Sequence, residues 1–483
     1  MSQMADAEFV RLQMLQPQDP PASERGAVKW MRENLFSGWL NSLLTVLGLL
    51  AVYYIVSISL PWLLHGVWVA NSLGECREII AANFGPDAGG ACWAVIRARW
   101  YQFIFGFYPP ELWWRPVIDF ALLFVALAPV LFSDAPRKAA NLVGIVTIIA
   151  IVALIPLDMP AWAFLLCTLG MAALYYLSTV APMRLLLVAL VYPFLSVWLL
   201  WGGSIWAPIA AMAGFGVLVV VYRLLAARLG VVLATGLGFV AACLWWLLLD
   251  SHVVDLLQSV LPLDIAKMDS DKFGGFLLAF VIGVASISIS LPIGILLALG
   301  RQSNMFLIHS LSVGFIEFVR GVPLITMLFT ASLLLQYFLP PNTNFDLILR
   351  VVILVTLFSA AYNAEVVRGG LAALPRGQTE AADALGLDYW QSQRLIIMPQ
   401  ALKVSIPGIV NNFIGLFKDT TLVTFVGLND PLRGITMIVR ADIYWKGVYW
   451  EPYIFVGAIF FVTCFGMSRY SMYLERKLRT DHR

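Results

Sequence analysis

Four histidines and five cysteines are the first candidates for metal or nucleophile chemistry in this 483-residue chain. His65, His252, His309 and His482 never stand at H-x-x-x-H or E-x-x-H spacing, so no helix face offers paired ligands and no metal site is expected. None of the eight lysines follows Gly and precedes Ser or Thr, as a phosphate-cradling loop would require. The remaining chemistry lies in polar residues that interrupt long apolar runs: Glu317, Arg320, Asn411, Asn412, Lys418 and Asp419. Such groups are costly inside a bilayer and usually mark function.

Each has two readings. Glu317 and Arg320 stand at i and i+3, where they can pair on a helix. Beside Gly321 and Pro323, which break the apolar run, they fit gate or assembly residues and equally a structural hinge. Asn411 and Asn412 carry both donors and acceptors, for a polar cargo or for bonds between helices. Lys418 and Asp419 compensate each other locally or pair with another span, which favours a structural role.

A polar segment from Glu365 to Pro407 divides into parts. Gly369 and Gly370 are read as releasing one helix, and Pro375 as opening a short new one. Glu380-Ala381-Ala382-Asp383 forms helix readily, and Gly386 suits its C-terminal stop. A second short helix is expected over 389–397, ending at Pro399. Small alanines let another protein approach closely; an ordinary amphipathic loop would share the composition.

The elements that hold these residues follow from composition. AVILMFWYC residues make up 60% of the chain and charged residues 12%, against about 25% charged in a soluble domain. This excludes a cytosolic enzyme, a disordered chain and a nucleic-acid binder; 31 basic and 29 acidic residues leave a net charge of only +2. An all-α integral membrane protein is expected, with about twelve transmembrane helices near 38–61, 116–133, 140–157, 160–180, 183–201, 206–226, 229–249, 273–299, 318–339, 347–368, 405–427 and 452–474. Continuous apolar runs, without alternation, exclude barrel strands.

Arg137, Lys138, Arg184, Arg223, Arg228, Arg301, Arg376 and Arg394, with Arg476, Lys477, Arg479 and Arg483, place both termini in the cytoplasm. The 428–451 loop opposes this with Arg433, Arg440 and Lys446. Tryptophans such as Trp62, Trp113, Trp162, Trp206, Trp245 and Trp450 fall beside the outer span ends. Residues 1–36 are expected as a cytoplasmic tail, disordered over 1–25, with an interfacial helix over 27–39. A membrane extension covers 37–250, including an outer loop at 63–115. That loop holds Cys76 and Cys92, which an oxidising compartment can bridge or leave as separate thiols. Before the break at 250–272 lie seven nearly uncharged spans; after it lie five rich in Gly, Pro, Asn and charge, over 273–475.

Glu380-Ala381-Ala382, then Gly386, then Ile396-Ile397-Met398-Pro399 resembles the EAA loop of ABC-importer permeases, with Met398 where Leu is usual. The loop covers 369–400. Leu291-Pro292-Ile293-Gly294 and the 315–324 stretch FIEFVRGVPL are similar to the core of the polar amino-acid uptake subfamily. Asn411-Asn412-Phe413 and Lys418-Asp419-Thr420-Thr421-Leu422 extend the match, Thr421 replacing Ser, and the N-terminal region resembles the general L-amino-acid and glutamate/aspartate permeases.

The resemblance implies a five-helix permease core behind a seven-helix extension, in a bacterial inner membrane. It implies coupling through Glu380, Ala381, Ala382, Asp383 and Gly386 to an ATP-binding subunit that carries ATP and magnesium; this chain would bind no cofactor and be no enzyme. A second, related permease chain and a periplasmic substrate-binding protein complete the expected assembly, with lipid but no nucleic acid. Amino acids would cross by alternating access. Many relatives carry an acid where Asn412 stands, so a neutral residue there favours polar, acidic or broad-range substrates. The main rival is a proton- or sodium-coupled secondary transporter, which would show two related halves. A membrane enzyme lacks its catalytic cluster here, and a nonconducting assembly subunit would not need the EAA loop.

Overall fold

The computed structural model describes residues 26–133, 135–157, 159–338 and 346–479. The expected disordered tail 1–25, the end of the expected ninth span at 339, and Arg483 lie outside them. The chain forms two compact units, Met1–Ala94 and Val95–Arg483.

In the first unit, α1 (Gly26–Asn34) is short, charged and exposed throughout. Helix α2 (Trp39–Leu64) is apolar on every face, and none of its 26 residues is buried by protein. A helix of that kind has lipid as its solvent. Helix α3 (Leu73–Phe84) starts at Ser72, whose hydroxyl accepts from the Glu75 amide at 3.2 Å. Cys76 and Cys92 are both buried and joined as a disulfide, with their Cα atoms 5.9 Å apart. The expected outer loop therefore contains helical structure.

The second unit continues from α4 (Ala94–Phe105) into α5 (Trp114–Leu131), α6 (Pro136–Leu154), α7 (Ala161–Val180), α8 (Leu185–Trp201) and α9 (Trp206–Leu229). Helix α10 (Val231–Leu244) does not end at 249 as the sequence suggests. A π-helical turn, Trp245–Leu249, carries it into α11 (Asp250–Val260). The Trp245 and Trp246 indoles donate to the α9 carbonyls of Ala210 and Ala211 at 2.9 and 3.0 Å, satisfying both N–H groups within the helix pair. A two-residue antiparallel ladder, β1 (Gly203–Ser204) with β2 (Asp264–Ile265), ties the α8 end to the connection after α11.

The transport core comprises α12 (Gly275–Gln302), α13 (Phe306–Gly321), α14 (Leu324–Phe338), α15 (Leu347–Ala372), α16 (Gly377–Ala384), α17 (Tyr389–Ser392), α18 (Met398–Asp419), α19 (Pro431–Ala441) and α20 (Trp450–Arg479). Helices α12 and α15 form its most extensive contact. Gly294 makes this possible: a β-carbon there would lie 2.8 Å from the Asn363 β-carbon and 3.0 Å from the Ala360 carbonyl.

Among the described residues, ten helices are long and apolar enough to cross a membrane, or eleven if α13 and the start of α14 count together. The expected twelve differ at two places. The run expected at 318–339 is broken by a 99° bend between α13 and α14; Pro323 there has no amide hydrogen to continue the helix. The run expected at 405–427 ends at Asp419 and becomes a 3-10 turn, Thr420–Val426. Helix α18 has 22 residues, but Gln400, Lys403, Ser405, Asn411, Asn412, Lys418 and Asp419 make it too polar to be read as a span by hydropathy.

The break expected at 250–272 is bonded into the core. Arg115 donates to the Ala266 carbonyl at 2.7 Å, and the Trp201 indole donates to Ser270 at 2.8 Å. Phe105, Tyr108 and Leu200 pack in one cluster with Phe273, Leu278 and Val351.

Candidate functional site

Two polar groups converge where α12, α13, α15 and α18 meet. The first is a charged knot. Glu365, near the end of α15, takes Arg301 at 2.6 Å, Arg368 at 3.0 Å and Arg320 at 3.8 Å. Arg301 also meets Glu317 at 2.8 Å. The expected Glu317–Arg320 pairing is thus replaced by partners on other helices, because Arg301 closes on both acids from the end of α12. The Arg320 guanidinium also lies over the Tyr362 ring, 5.6 Å from its centroid. The His309 ring nitrogen Nδ1 lies 2.7 Å from the Arg301 carbonyl, so this histidine is tied to the backbone beside the knot.

The second group is a ladder of neutral polar side chains. The Asn363 amide donates to Ser290 at 3.2 Å and to Ser359 at 3.4 Å, and Ser359 donates to Ser290 at 3.1 Å. Asn412 reaches it from α18, donating to the Asn363 oxygen at 3.3 Å. Ser290, Ser359 and Asn363 are buried, Asn412 is half-buried, and Asn411 is exposed. The two asparagines stand well inside α18. Lys418 is exposed and Asp419 half-buried at the far end of the helix.

Sequence reasoning used Arg301 only for topology and Glu365 only as a segment boundary, and gave no site role to either or to Asn363 and Ser290. Asn363, Glu365 and Arg368 share one helix with mostly apolar neighbours, and that contrast is the signal that would have found them.

The loop after α15 has a third arrangement. Helix α15 does not end at Gly369-Gly370 but continues to Ala372. Gly370 instead allows close packing on α18, since a β-carbon there would collide with Ser405 and the Ala401 carbonyl. Helix α16 holds Glu380, Ala381 and Asp383 exposed and Ala382 buried. Gly386 follows at φ +72°, a conformation that closes the helix and suits glycine. Gln400 of α18 donates to Gln378 of α16 at 3.0 Å, fixing the loop to the core.

Asp388 and Gln391 form a reciprocal capping box that starts α17. The expected stop at Pro399 is absent. A π turn, Gln393–Ile397, joins α17 to α18, and Pro399 falls in the first turn of α18. Proline is tolerated in a first turn because its missing amide hydrogen has no helical partner there.

At the end of α18, Asp430 caps α19 by accepting from the Leu432 and Arg433 amides, both at 3.1 Å, and it pairs with the Thr424 hydroxyl. Burial raises the Asp430 carboxyl above its ordinary range against these bonds.

A knot of charge and a neutral polar ladder thus lie among helices of which α12 and α15 are long and apolar enough to cross a membrane, and an exposed, glycine-stopped helix follows α15. Residues 290–480 match the family described as "Binding-protein-dependent transport system inner membrane component". The chain is 62% identical over 480 residues to the glutamate/glutamine/aspartate/asparagine transport system permease protein BztC of Rhodobacter capsulatus, covering 99% of this chain and 100% of that one. It is 34% identical over 465 residues to the inner membrane amino-acid ABC transporter permease protein YhdY of Escherichia coli, covering 95% and 96%. A solved structure described as an amino acid ABC transporter with histidines covers 42% of this chain and 91% of its own, at 29% identity and a TM-score of 0.37.

The chain belongs to the amino-acid permeases of ABC transporters. It is a multi-pass membrane subunit of an amino-acid importer, not a secondary transporter, and membership of this family implies an ATP-binding subunit and membrane partners.

The disulfide has its own test. Cys76 and Cys92 of protein purified without reductant should resist alkylation until a reductant is added. Full labelling beforehand would remove the bridge. Opening a loop of this length, with a sequence separation of 16, should cost the N-terminal unit about 3 kcal/mol in the chain-entropy description.

Proposed function

We propose that this permease imports acidic amino acids and their amides across a bacterial inner membrane, with both termini cytoplasmic. The observation that carries the reading is the neutral ladder Ser290–Ser359–Asn363–Asn412, hydrogen-bonded between α12, α15 and α18. It offers amide donors and acceptors without a fixed negative charge, so it does not repel a side-chain carboxylate. BztC, named for glutamate, glutamine, aspartate and asparagine, supports the same substrate class.

In this reading α16 docks on the ATP-binding subunit, which holds ATP and magnesium and performs the hydrolysis. Glu380, Ala381, Ala382, Asp383 and Gly386 form the coupling element. Leu385, Trp390 and Leu395, which are 74%, 65% and 63% exposed beside it, supply apolar contact area. A related second permease chain and a periplasmic binding protein complete the importer. Residues 1–36 form the cytoplasmic tail, 37–250 the extension, 273–475 the transport core and 369–400 the coupling loop. Glu317 and Arg320 act as gate residues through the knot, Asn411 and Asn412 face the path, and Lys418 with Asp419 holds the end of α18. ATP closure moves α16, and the core then exchanges outward for inward access. A substrate biases that exchange only by binding its two states differently.

Asn412→Glu tests the substrate assignment. A carboxylate at the ladder should depress glutamate uptake relative to arginine uptake by about tenfold, equivalent to roughly 1.4 kcal/mol of added repulsion. Asn412→Ala should weaken all substrates modestly. The measurement is competitive uptake in vesicles with the partner subunits present and the binding protein varied. An unchanged ratio of acidic to basic uptake in both variants would make Asn412 a packing residue.

A further inference from the structure

A cavity of about 530 Å³ opens at the N-terminal end of α5, away from the ladder and the knot. Its volume falls in the range of small-molecule sites. Arg115, Glu111 and Asp264 supply its charge, and Trp114, Trp162 and Met159 supply apolar wall.

Arg115 is only 2% exposed. Its Nη1 donates to the Ala266 carbonyl at 2.7 Å, but its Nε is buried with no hydrogen-bond partner. A buried donor left without an acceptor is costly, and a guanidinium keeps its charge. Tyr108 lies close enough to act on Arg115 electrostatically but does not neutralise it. Burial pushes the Tyr108 phenol up to about 12, so it remains uncharged, and its hydroxyl donates to the Leu200 carbonyl at 2.9 Å. Among the described residues no ion pair uses Arg115, Glu111 or Asp264.

The walls are fixed. Asp264 stands in register with Ser204 in the β1–β2 ladder, and Ser204 donates to Gln258 at 2.5 Å. Gly202, at φ +74°, lets the Ala266 carbonyl and the Arg115 guanidinium close over the end of α8.

The charge pattern selects the ligand. A simple anion would meet Arg115 but be opposed by the two carboxylates. A simple cation would meet the carboxylates but be opposed by an arginine that cannot lose its proton. We propose that this cavity binds a zwitterion, its anionic group on Arg115 and its ammonium between Glu111 and Asp264. Two sources carry that chemistry: a free α-amino acid and a phosphoethanolamine lipid headgroup. The tryptophans suit either, stacking on a side chain or standing at the headgroup level of a bilayer.

The test uses the purified full chain. One arm measures equilibrium binding of radiolabelled L-glutamine in detergent free of phosphatidylethanolamine. The other measures, by native mass spectrometry, retention of phosphatidylethanolamine against phosphatidylglycerol. The variant is the pair Glu111→Gln with Asp264→Asn, both exposed residues whose change leaves the Arg115 bonds intact. Binding in either arm, lowered at least tenfold in the double variant, supports the site and identifies its source. Arg115→Lys, which keeps the charge but loses Nε, should lower the same binding. Absence of both ligands from the wild type, or equal binding by the double variant, overturns the proposal.

Discussion

Glu365→Gln should abolish uptake and destabilise the transport core by roughly 1–2 kcal/mol, between the cost of losing an exposed ion pair and that of breaking a buried one, because the cluster is half-buried. Glu365 faces Arg301, Arg368 and Arg320, and its side chain is only 16% exposed. Glutamine keeps its size but leaves these guanidiniums to repel one another. Arg301 would retain only Glu317, itself 53% exposed. The thermal unfolding midpoint of the purified chain and ATP-driven uptake in vesicles read the two effects. Glu317→Gln is the comparison, and should cost under about 1 kcal/mol because an exposed pair is screened. If Glu365→Gln melts and transports like wild type, the knot is decoration and the ends of α12, α13 and α15 are held by packing alone.

Gly386→Val should separate ATP hydrolysis from uptake. At φ +72° a β-branched residue is strained, although no heavy atom lies within 4 Å of the added β-carbon. The cost is therefore backbone strain of about 1–2 kcal/mol, not a clash, and it falls on the turn after α16. The subunits should still assemble, hydrolysis should continue, and uptake should drop at least tenfold. Gly386→Asn should retain most uptake, because asparagine tolerates the left-handed conformation better than valine. Wild-type uptake by the valine variant would remove this turn from the coupling path.

The helical membrane architecture was legible because apolar runs of about 20 residues have few other uses. The short helix with its glycine stop was legible because Glu380-Ala381-Ala382-Asp383 and Gly386 combine helix composition with a residue suited to φ > 0. The charged knot was not. The pair Glu317–Arg320 satisfies a local spacing rule, yet tertiary placement of Arg301 and Glu365 gives both residues other partners. Pro399 misled in the same way, since a helix-ending residue in isolation is a first-turn residue once a π turn precedes it. Asn412 was visible as a polar residue on an apolar helix, but its partner Asn363 lies 49 positions away and no local pattern links them. Gly370 could be read as a flexible stop, whereas its use is the close approach of α15 to α18.

The all-round apolar α2 also has a consequence for biosynthesis. None of its residues is buried by protein, so lipid alone can serve as its solvent. The segment after it closes on itself: the Ala91 amide donates to the Trp62 carbonyl at 2.9 Å, Trp62 and Trp93 meet edge to face, and Cys76 is joined to Cys92. Chains mature from the N-terminus in order of emergence. Residues 26–94 can therefore anchor, fold and oxidise as a finished unit while translation of the transport core is still under way. A nascent chain arrested shortly after Ala94 has emerged should already carry its disulfide.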